Sequence, residues 1–207
     1  MKAVAIFGGT FNPIHYGHLA TAEEVRTKFN LDKVIFVPTN LPPHKDQSDL
    51  VSARHRWLMT HLATVSNPCF EVSTFEIDSG GKSYTIDTVK HFRKFYGEKV
   101  KLYFIIGADM LPEISTWKNI GEILKICSFI AVPRPGFNIQ KTIDQYFLGS
   151  KNTPLATELL ENVLIEDMAM LDVSSTNIRQ RVKEWKSIKY LVPEPVEQFI
   201  HNQQLYL

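Results

Sequence analysis

Short apolar runs alternate with amphipathic segments along most of the chain. Apolar runs bounded by turn residues are typical of buried strands, and they occur at 3–7, 33–37, 100–106, 127–132 and 162–165. A partly alternating run predicts one more strand at 70–77. Apolar residues at helical spacing predict helices at 19–29, 51–64, 83–96 and 110–115, and a short one near residue 200. The stretch 137–160 is weakly patterned, and we expect helix with loops there.

The order of these elements defines the fold class that we expect. A strand, a helix and a second strand within the first forty residues imply a right-handed crossover between parallel strands. Strands and helices then alternate through most of 1–207, which predicts a single doubly wound, Rossmann-like α/β domain with a mainly parallel sheet. Such sheets bind ligands at the carboxyl ends of their strands, so we expect the chemistry to lie at that edge.

Composition narrows the class of protein. The 207 residues are 44% hydrophobic and 22% charged with a net charge of +1, as in ordinary soluble proteins, and this balance disfavours a dedicated nucleic-acid binder. No apolar run approaches the ~18 residues of a membrane span, and we expect no membrane partner. Cys69 and Cys127 lie in apolar runs without metal-type spacing, which indicates buried thiols in a reducing compartment. We therefore expect a cytoplasmic protein.

The stretch 8–19 (GGTFNPIHYGHL) forms the turn between the first strand and the first helix. Gly8 and Gly9 allow the backbone to approach a ligand, and the free N–H groups of a helix start favour an anion. His15 and His18 lie three residues apart, so a helical first turn directs both imidazoles to one side, where each donates to a phosphate. Taken singly, either histidine is equally compatible with a helix cap or a surface position.

A second helix start carries hydroxyl groups and one arginine. Residues 174–179 (SSTNIR) precede and open a helix, so simple capping is one interpretation. The other is a triphosphate cradle, in which Ser175, Thr176 and the free N–H groups hold phosphates. Arg179 lies one turn further on, within reach of a phosphate oxygen in a forked pair of hydrogen bonds.

Three more places at predicted strand or helix ends carry candidate chemistry. Asp109 follows Gly107 at a strand end, where its carboxylate either binds ribose hydroxyls or caps the helix 110–115. Trp117 offers a flat surface on which a ring stacks. The helix start at Ser83-Tyr84-Thr85 is a second candidate anion pocket, although Ser83 or Thr85 is also an ordinary N-cap.

Two basic loops complete the set of candidate positions. The loop 38–45 (PTNLPPHK) contains three prolines and ends in His44 and Lys45, which are suited to a phosphate and equally to a solvated surface. Arg134 lies in the rigid turn 133–136 (PRPG) that follows a buried strand.

These stretches together resemble one family. The first and second helix starts resemble the H-x-G-H and S-S-T-x-I-R signatures of the nucleotidylyltransferase superfamily. With 42–45 (PPHK), 83–88 (SYTIDT) and 107–109 (GAD), and with the T-W pair that ends at Trp117, the chain is similar to bacterial nicotinate mononucleotide adenylyltransferases. The similar segments occur in the family's order along nearly the whole chain. One departure is 9–12 (GTFN), where Ser and Asp forms are common in the family, and backbone contacts there should survive it.

The resemblance implies a reaction and its residues. The reaction is transfer of AMP from ATP to nicotinate mononucleotide, which yields nicotinate adenine dinucleotide and pyrophosphate in NAD synthesis. The implied catalytic residues are His15, His18 and Arg179. The implied ATP-binding residues are these three with Gly8, Gly9, Thr10, Phe11, Gly107, Asp109, Ser175 and Thr176. The implied mononucleotide-binding residues are His44, Lys45, Ser83, Tyr84, Thr85, Asp109, Trp117 and Arg134. Mg²⁺ is expected on the ATP phosphates, without a dedicated protein site.

Three alternatives stay open at this point. The two signatures alone also fit a sister enzyme that adenylylates phosphopantetheine, and the resemblance at 83–88 and at Trp117 favours nicotinate. A non-catalytic nucleotide-binding regulatory module would keep the fold, but it would not need the donors His15, His18 and Arg179. A role on nucleic acid, suggested by the superfamily's kinship with some tRNA-charging enzymes, is disfavoured by the near-neutral charge. The sequence leaves a homo-oligomer open.

Overall fold

A six-stranded parallel sheet organises the structure, a computed structural model that describes residues 1–41, 49–133, 154–165 and 171–207. The strands are β1 Ala3–Gly9, β2 Lys33–Pro38, β3 Phe70–Val72, β4 Lys101–Gly107, β5 Ser128–Val132 and β6 Val163–Ile165. Their order is β3-β2-β1-β4-β5-β6, and all five neighbouring pairs are parallel. The predicted doubly wound α/β fold with a mainly parallel sheet is therefore confirmed.

Helices cover both faces of this sheet. The helices are α1 Tyr16–Lys28, α2 Ala53–Thr64, α3 Phe75–Ser79, α4 Thr85–Tyr96, α5 Ile120–Ile126, α6 Pro154–Asn162, α7 Ser175–Lys183 and α8 Glu194–Asn202, with a 3₁₀ helix at Ala108–Thr116. Ser52 caps α2, because its Oγ accepts a hydrogen bond from the His55 N–H at 3.1 Å. Among the residues described, no helix is long and apolar enough to cross a lipid bilayer.

The two faces of the sheet are separate apolar cores. Successive side chains of a strand point to opposite faces, so Ala5 and Phe7 of β1 pack with α1, α2, α7 and α8. Val4 and Ile6 pack with α4, α5 and the 3₁₀ helix on the other face. Since every central strand is buried on both sides, its sequence is an unbroken apolar run, as parallel sheets require.

The strand order reverses beside β1, which is the position where doubly wound sheets bind ligands. The chain builds outward from β1 through β2 to β3, then returns to β4 on the other side of β1 and builds outward again through β5 and β6. The carboxyl ends of β1 and β4 therefore diverge into connections on opposite faces, and a crevice opens between them. Gly9 ends β1, and Gly107 ends β4.

Several local predictions were wrong. The strand predicted at 70–77 ends at Val72, and the helix α3 follows it. The Phe75 ring stacks on His91 of α4 at 4.0 Å between centroids, so this segment packs as a helix on α4 rather than as a sheet edge. The helix predicted at 110–115 is the longer 3₁₀ helix. Cys127 is buried as predicted, but Cys69 is only half-buried, because it lies in the turn that precedes the edge strand β3.

Candidate active site

The glycine turn after β1 is shaped by aromatic packing. Phe11 adopts a left-handed backbone, with φ of 47°, and is almost fully buried. Its ring meets Phe7 and Phe36 at 5.6 and 5.7 Å between centroids, contacts that offset the strain of this conformation. A Cβ on Gly9 would lie 2.9 Å from the Phe11 ring, and a Cβ on Gly8 would lie 2.8 Å from the Phe104 ring. The two glycines thus make room for these rings.

The two histidines of this turn lie face to face at the start of α1. His15 occupies the N-cap position with an extended backbone, and its ring stacks on that of His18 at 3.7 Å between centroids. The expectation that both imidazoles point to the same side is confirmed. Gly17 makes this possible, because a Cβ there would lie 2.9 Å from His15 Nδ1 and 3.3 Å from the carbonyl oxygen of Leu171.

The start of α7, which carries the second signature at 174–179, is hydrogen-bonded to the turn that carries the first signature at 8–19. Ser175 Oγ donates to the Pro13 carbonyl at 2.8 Å, and Arg179 Nη1 donates to the Asn12 carbonyl at 3.0 Å. The start of α7 is therefore held against the turn that carries the histidines, more than 160 residues away in sequence. Only one of the three hydroxyl residues at 174–176 caps the helix, and the triphosphate cradle stays a prediction. Ser174 caps α7 by accepting from the Asn177 N–H at 3.2 Å, whereas Ser175 and Thr176 form the first turn instead of preceding the helix.

The guanidinium of Arg179 is held by neighbours on three sides. Besides the Asn12 carbonyl, its Nη2 lies 3.5 Å from Thr176 Oγ1, and its Nε lies 3.9 Å from Asp49 Oδ2. Asp49 also accepts from Lys183 Nζ at 2.7 Å. This hydrogen bond is the largest cause that holds the pKa of the Asp49 carboxyl below its usual value, and the charges of Lys183 and Arg179 add to it. The Arg179 side chain is 18% exposed, so it is preorganised yet accessible.

Arg56 is a buried cation that the sequence reasoning missed. Its side chain is fully buried, and its three donor nitrogens bind three backbone carbonyls. Nη1 donates to Thr10 at 2.8 Å, Nη2 to Asn40 at 2.8 Å and Nε to Val51 at 3.1 Å. Burial lowers the pKa of Arg56 to about 10, partly offset by charges that include Glu76. Arg56 thus joins the ends of β1 and β2, and its place inside the amphipathic α2 gave no signal of this role.

The start of α4 is joined to the end of β2. The Asn40 N–H donates to Ser83 Oγ at 3.2 Å, so the Ser83 hydroxyl serves the neighbouring loop and not the helix. The alternative in which Ser83 or Thr85 caps α4 is excluded, since Tyr84 occupies the N-cap position without a side-chain cap. Thr85 opens the helix and is half-buried.

The buried carboxyl of Glu76 is hydrogen-bonded to the first turn of α4. Glu76 Oε1 accepts from Thr88 Oγ1 at 2.6 Å. Burial raises the pKa of Glu76 above its ordinary value, although the Thr88 and Ser83 hydroxyls and the charge of Arg56 oppose that shift. Glu76 is therefore a second buried titratable group beside the loops of the site.

The carboxyl end of β4 supplies an acid and an aromatic ring. Asp109 lies half-buried in the first turn of the 3₁₀ helix. Gly107 occupies the cap position, so the capping alternative for Asp109 is excluded, and its binding of ribose hydroxyls stays a prediction. Trp117 ends the helix with its ring edge-on to Phe129 at 5.8 Å and to Phe104 at 6.3 Å. The ring is half-buried and packs against the apolar core, and its role as a stacking surface stays a prediction.

The start of α4, where an anion pocket is predicted, contacts the residue that follows Trp117. The ammonium of Lys118, the residue after Trp117, lies 4.2 Å from the centroid of the exposed Tyr84 ring. This cation–π contact joins the Trp117 region to the start of α4. His44, Lys45 and Arg134 lie outside the described residues. Within the ranges described, no group of three His, Cys, Asp or Glu side chains is placed to hold a metal ion.

Comparisons with known proteins agree with this geometry. A family model described as cytidylyltransferase-like matches residues 6–181, and the chain belongs to this family. It is similar to proteins named probable nicotinate-nucleotide adenylyltransferase. The one from Thermoanaerobacter sp. is 52% identical over 203 residues, 98% of this chain and 93% of the relative. The one from Moorella thermoacetica is 51% identical over 203 residues, 98% and 91% of the two chains.

A solved structure shows the same fold. Nicotinic acid mononucleotide adenylyltransferase of Plasmodium falciparum, complexed with NaAD, has a TM-score of 0.77 to this chain at 20% identity, with 100% of this chain and 98% of that one covered. The family model and the curated relatives confirm the resemblance that the sequence motifs indicated, and the solved structure shows that the fold is shared.

Proposed function

We propose that this protein transfers AMP from ATP to nicotinate mononucleotide. An oxygen of the mononucleotide phosphate attacks the α-phosphorus of ATP, the bond to the bridging oxygen breaks, and pyrophosphate leaves with that electron pair. The observation that carries the proposal is the meeting of the stacked histidines with the start of α7. The names of the curated relatives support it independently.

The reaction needs no protein nucleophile, because the attacking phosphate is already an oxyanion. The protein must align the two nucleotides and offset negative charge that develops on the leaving pyrophosphate. His15 and His18 stand at the N-terminus of α1, where donors and the helix dipole favour an anion. Arg179, Ser175 and Thr176 stand at the start of α7 and hold the β and γ phosphates in this proposal.

The mononucleotide lies on the opposite side of the crevice in this proposal. The nicotinate ring stacks on Trp117, and its carboxylate accepts from donors at the start of α4, the Thr85 hydroxyl among them. The amide analogue would turn an NH₂ group toward those donors and leave them unpaired, at a cost of ~1–3 kcal/mol each. Two such losses correspond to a preference for the acid on the order of 10²–10⁴-fold.

Magnesium belongs to the nucleotide in this proposal. Among the described residues no acidic cluster fits a resident ion, and Mg²⁺ commonly binds through substrate phosphates and water. Mg²⁺ therefore enters as part of the ATP complex, where it neutralises triphosphate charge. Chelation should stop turnover and leave the thermal unfolding midpoint of the free protein unchanged. A chelator-induced fall in that midpoint would contradict this assignment.

A substrate panel tests the function. Pyrophosphate release from ATP is measured with nicotinate mononucleotide, with its amide analogue and with phosphopantetheine. We expect fast release with the acid, a kcat/KM lower by two or more orders of magnitude with the amide, and only background with phosphopantetheine. Thr85→Val should reduce the ratio of kcat/KM between the acid and the amide, whereas Trp117→Ala should lower kcat/KM for both mononucleotides. Equal use of the two mononucleotides, or a preference for phosphopantetheine, would overturn the assignment.

A further inference from the structure

The segment that follows α8 reaches back to the glycine turn. Tyr206 is 8% exposed there, and its hydroxyl donates to Asn12 Oδ1 at 2.9 Å, across 194 positions of sequence. Its backbone has φ of 67°, a left-handed conformation that aromatic residues seldom adopt. Burial of the ring and the hydrogen bond at its end hold this conformation.

Asn12 makes three further hydrogen bonds, to Asp49, Val51 and Arg179. Its Nδ2 donates to the Asp49 carbonyl at 2.9 Å, and its Oδ1 also accepts from the Val51 N–H at 3.4 Å. Its own backbone carbonyl accepts from Arg179 Nη1 at 3.0 Å. Asn12 is therefore a hub, with its side chain on Tyr206 and its backbone on the Arg179 guanidinium.

The Tyr206 hydroxyl is suited to act as a constant donor. Burial raises its pKa above the ordinary value, while the charges of Arg179 and Arg56 lower it only in part, so the hydroxyl keeps its proton at neutral pH. Without that donor, Asn12 Oδ1 would keep only the longer contact to the Val51 N–H. The Asn12 side chain would then be held only by this contact and by its Nδ2 bond to the Asp49 carbonyl, so Asn12, whose backbone carbonyl accepts from Arg179, would be less firmly fixed.

We propose that Tyr206 is a positioning residue for adenylyl transfer, an inference that rests on the function proposed above. Through Asn12, the Tyr206 hydroxyl sets the place of the Arg179 guanidinium on the ATP phosphates. Tyr206 itself touches no reacting atom. Its loss therefore acts on the ATP side of the reaction and spares the mononucleotide side.

Tyr206→Phe tests the inference, since it removes only the hydroxyl and keeps the buried ring. We expect the KM for ATP to rise ~3–10-fold, the effect of one lost hydrogen bond, while the KM for the mononucleotide stays within about twofold. The matched control is Tyr96→Phe at the far end of α4, where the hydroxyl of a half-buried tyrosine is removed. A purely structural hydroxyl would lower the thermal unfolding midpoint and leave the KM for ATP unchanged, and that result would overturn the inference.

A double-mutant cycle tests whether Tyr206 acts on ATP binding through Arg179. If Tyr206 acts through Arg179, then Tyr206→Phe should have little further effect on ATP kinetics in an Arg179→Lys background. Additive effects of the two changes would overturn the inference. If Tyr206→Phe does not fold, Asn12→Asp disturbs the same hub by removing the Nδ2 donor to the Asp49 carbonyl. A KM for ATP as in wild type would then count against the inference in the same way.

Failure of the proposed function is distinguishable from failure of this inference. Absence of pyrophosphate release by the wild-type protein would refute the function alone. Calorimetric titration with MgATP, which needs no turnover, would then compare wild type with Tyr206→Phe. A dissociation constant for MgATP that is ~3–10-fold higher in Tyr206→Phe than in wild type supports the positioning role. An unchanged dissociation constant refutes it.

Discussion

Replacing Arg56 by methionine should destabilise the protein strongly. Methionine fills most of the same volume but donates no hydrogen bond, so three carbonyls in a buried region lose their partner. Each unpaired buried acceptor costs ~1–3 kcal/mol, which sums to roughly 3–9 kcal/mol. Burial of a cation is itself unfavourable, and its removal returns several kcal/mol. We therefore expect a net loss of about 3 kcal/mol in the free energy of unfolding.

The assay is urea unfolding at neutral pH, with Arg54→Met as the matched control. Arg54 is exposed on the same helix, so its replacement should change the free energy of unfolding by less than ~0.5 kcal/mol. Arg56→Lys should lie between the two, because one ammonium cannot take the place of a guanidinium that binds three separate carbonyls. If Arg56→Met and Arg54→Met unfold within about 1 kcal/mol of each other, the buried network does not stabilise the fold and the reasoning is refuted.

The remaining predictions concern the site and its pH dependence. Gly17→Ala should lower kcat ~10-fold or more, because the new Cβ would meet His15 Nδ1 at 2.9 Å, and normal turnover would show that the stacked ring pair tolerates displacement. His18→Ala should lower kcat by ~10²-fold with the fold intact, and near-normal kcat would remove His18 from the mechanism. The raised pKa of Glu76 means that the folded state binds its proton more tightly than the unfolded state, so stability falls as pH rises from 4.5 through that raised pKa. In urea unfolding, Glu76→Gln should abolish this fall in the free energy of unfolding with rising pH. A pH profile like that of wild type would contradict the prediction.

The fold was predictable because each central strand is buried on both faces. A run such as 3–7 has no polar side, which excludes a surface helix and favours a strand in a parallel sheet. The residues of the two signatures were found for a similar reason, since glycine, histidine and hydroxyl residues at helix starts have a direct chemical meaning. What the pattern could not supply was the reason for Gly8 and Gly9, which make room for the rings of Phe104 and Phe11.

The supporting residues escaped prediction because their partners are remote in the sequence. Arg56 is one of several basic residues of α2, and its carbonyl partners Thr10 and Asn40 lie 46 and 16 positions away. Tyr206 bonds to Asn12 across 194 positions, and neither residue carries a local sign of the other. The helix α3 escaped because its alternating sequence also fits a strand, and only its packing on α4 decides between the two.

The contacts of the glycine turn also bear on the order of folding. Its bonds to Ser175, Arg179 and Tyr206 span 162, 167 and 194 positions, which are among the longest sequence separations that this chain allows. Contacts of this kind form after local structure, because the entropy of closing such a long loop must first be overcome. During synthesis, β1 and α1 leave the ribosome long before any of these partners exist. The turn that carries both histidines therefore becomes ordered only after its distant partners have formed. We expect its amide protons to be among the last to gain protection from exchange in pulse-labelled refolding.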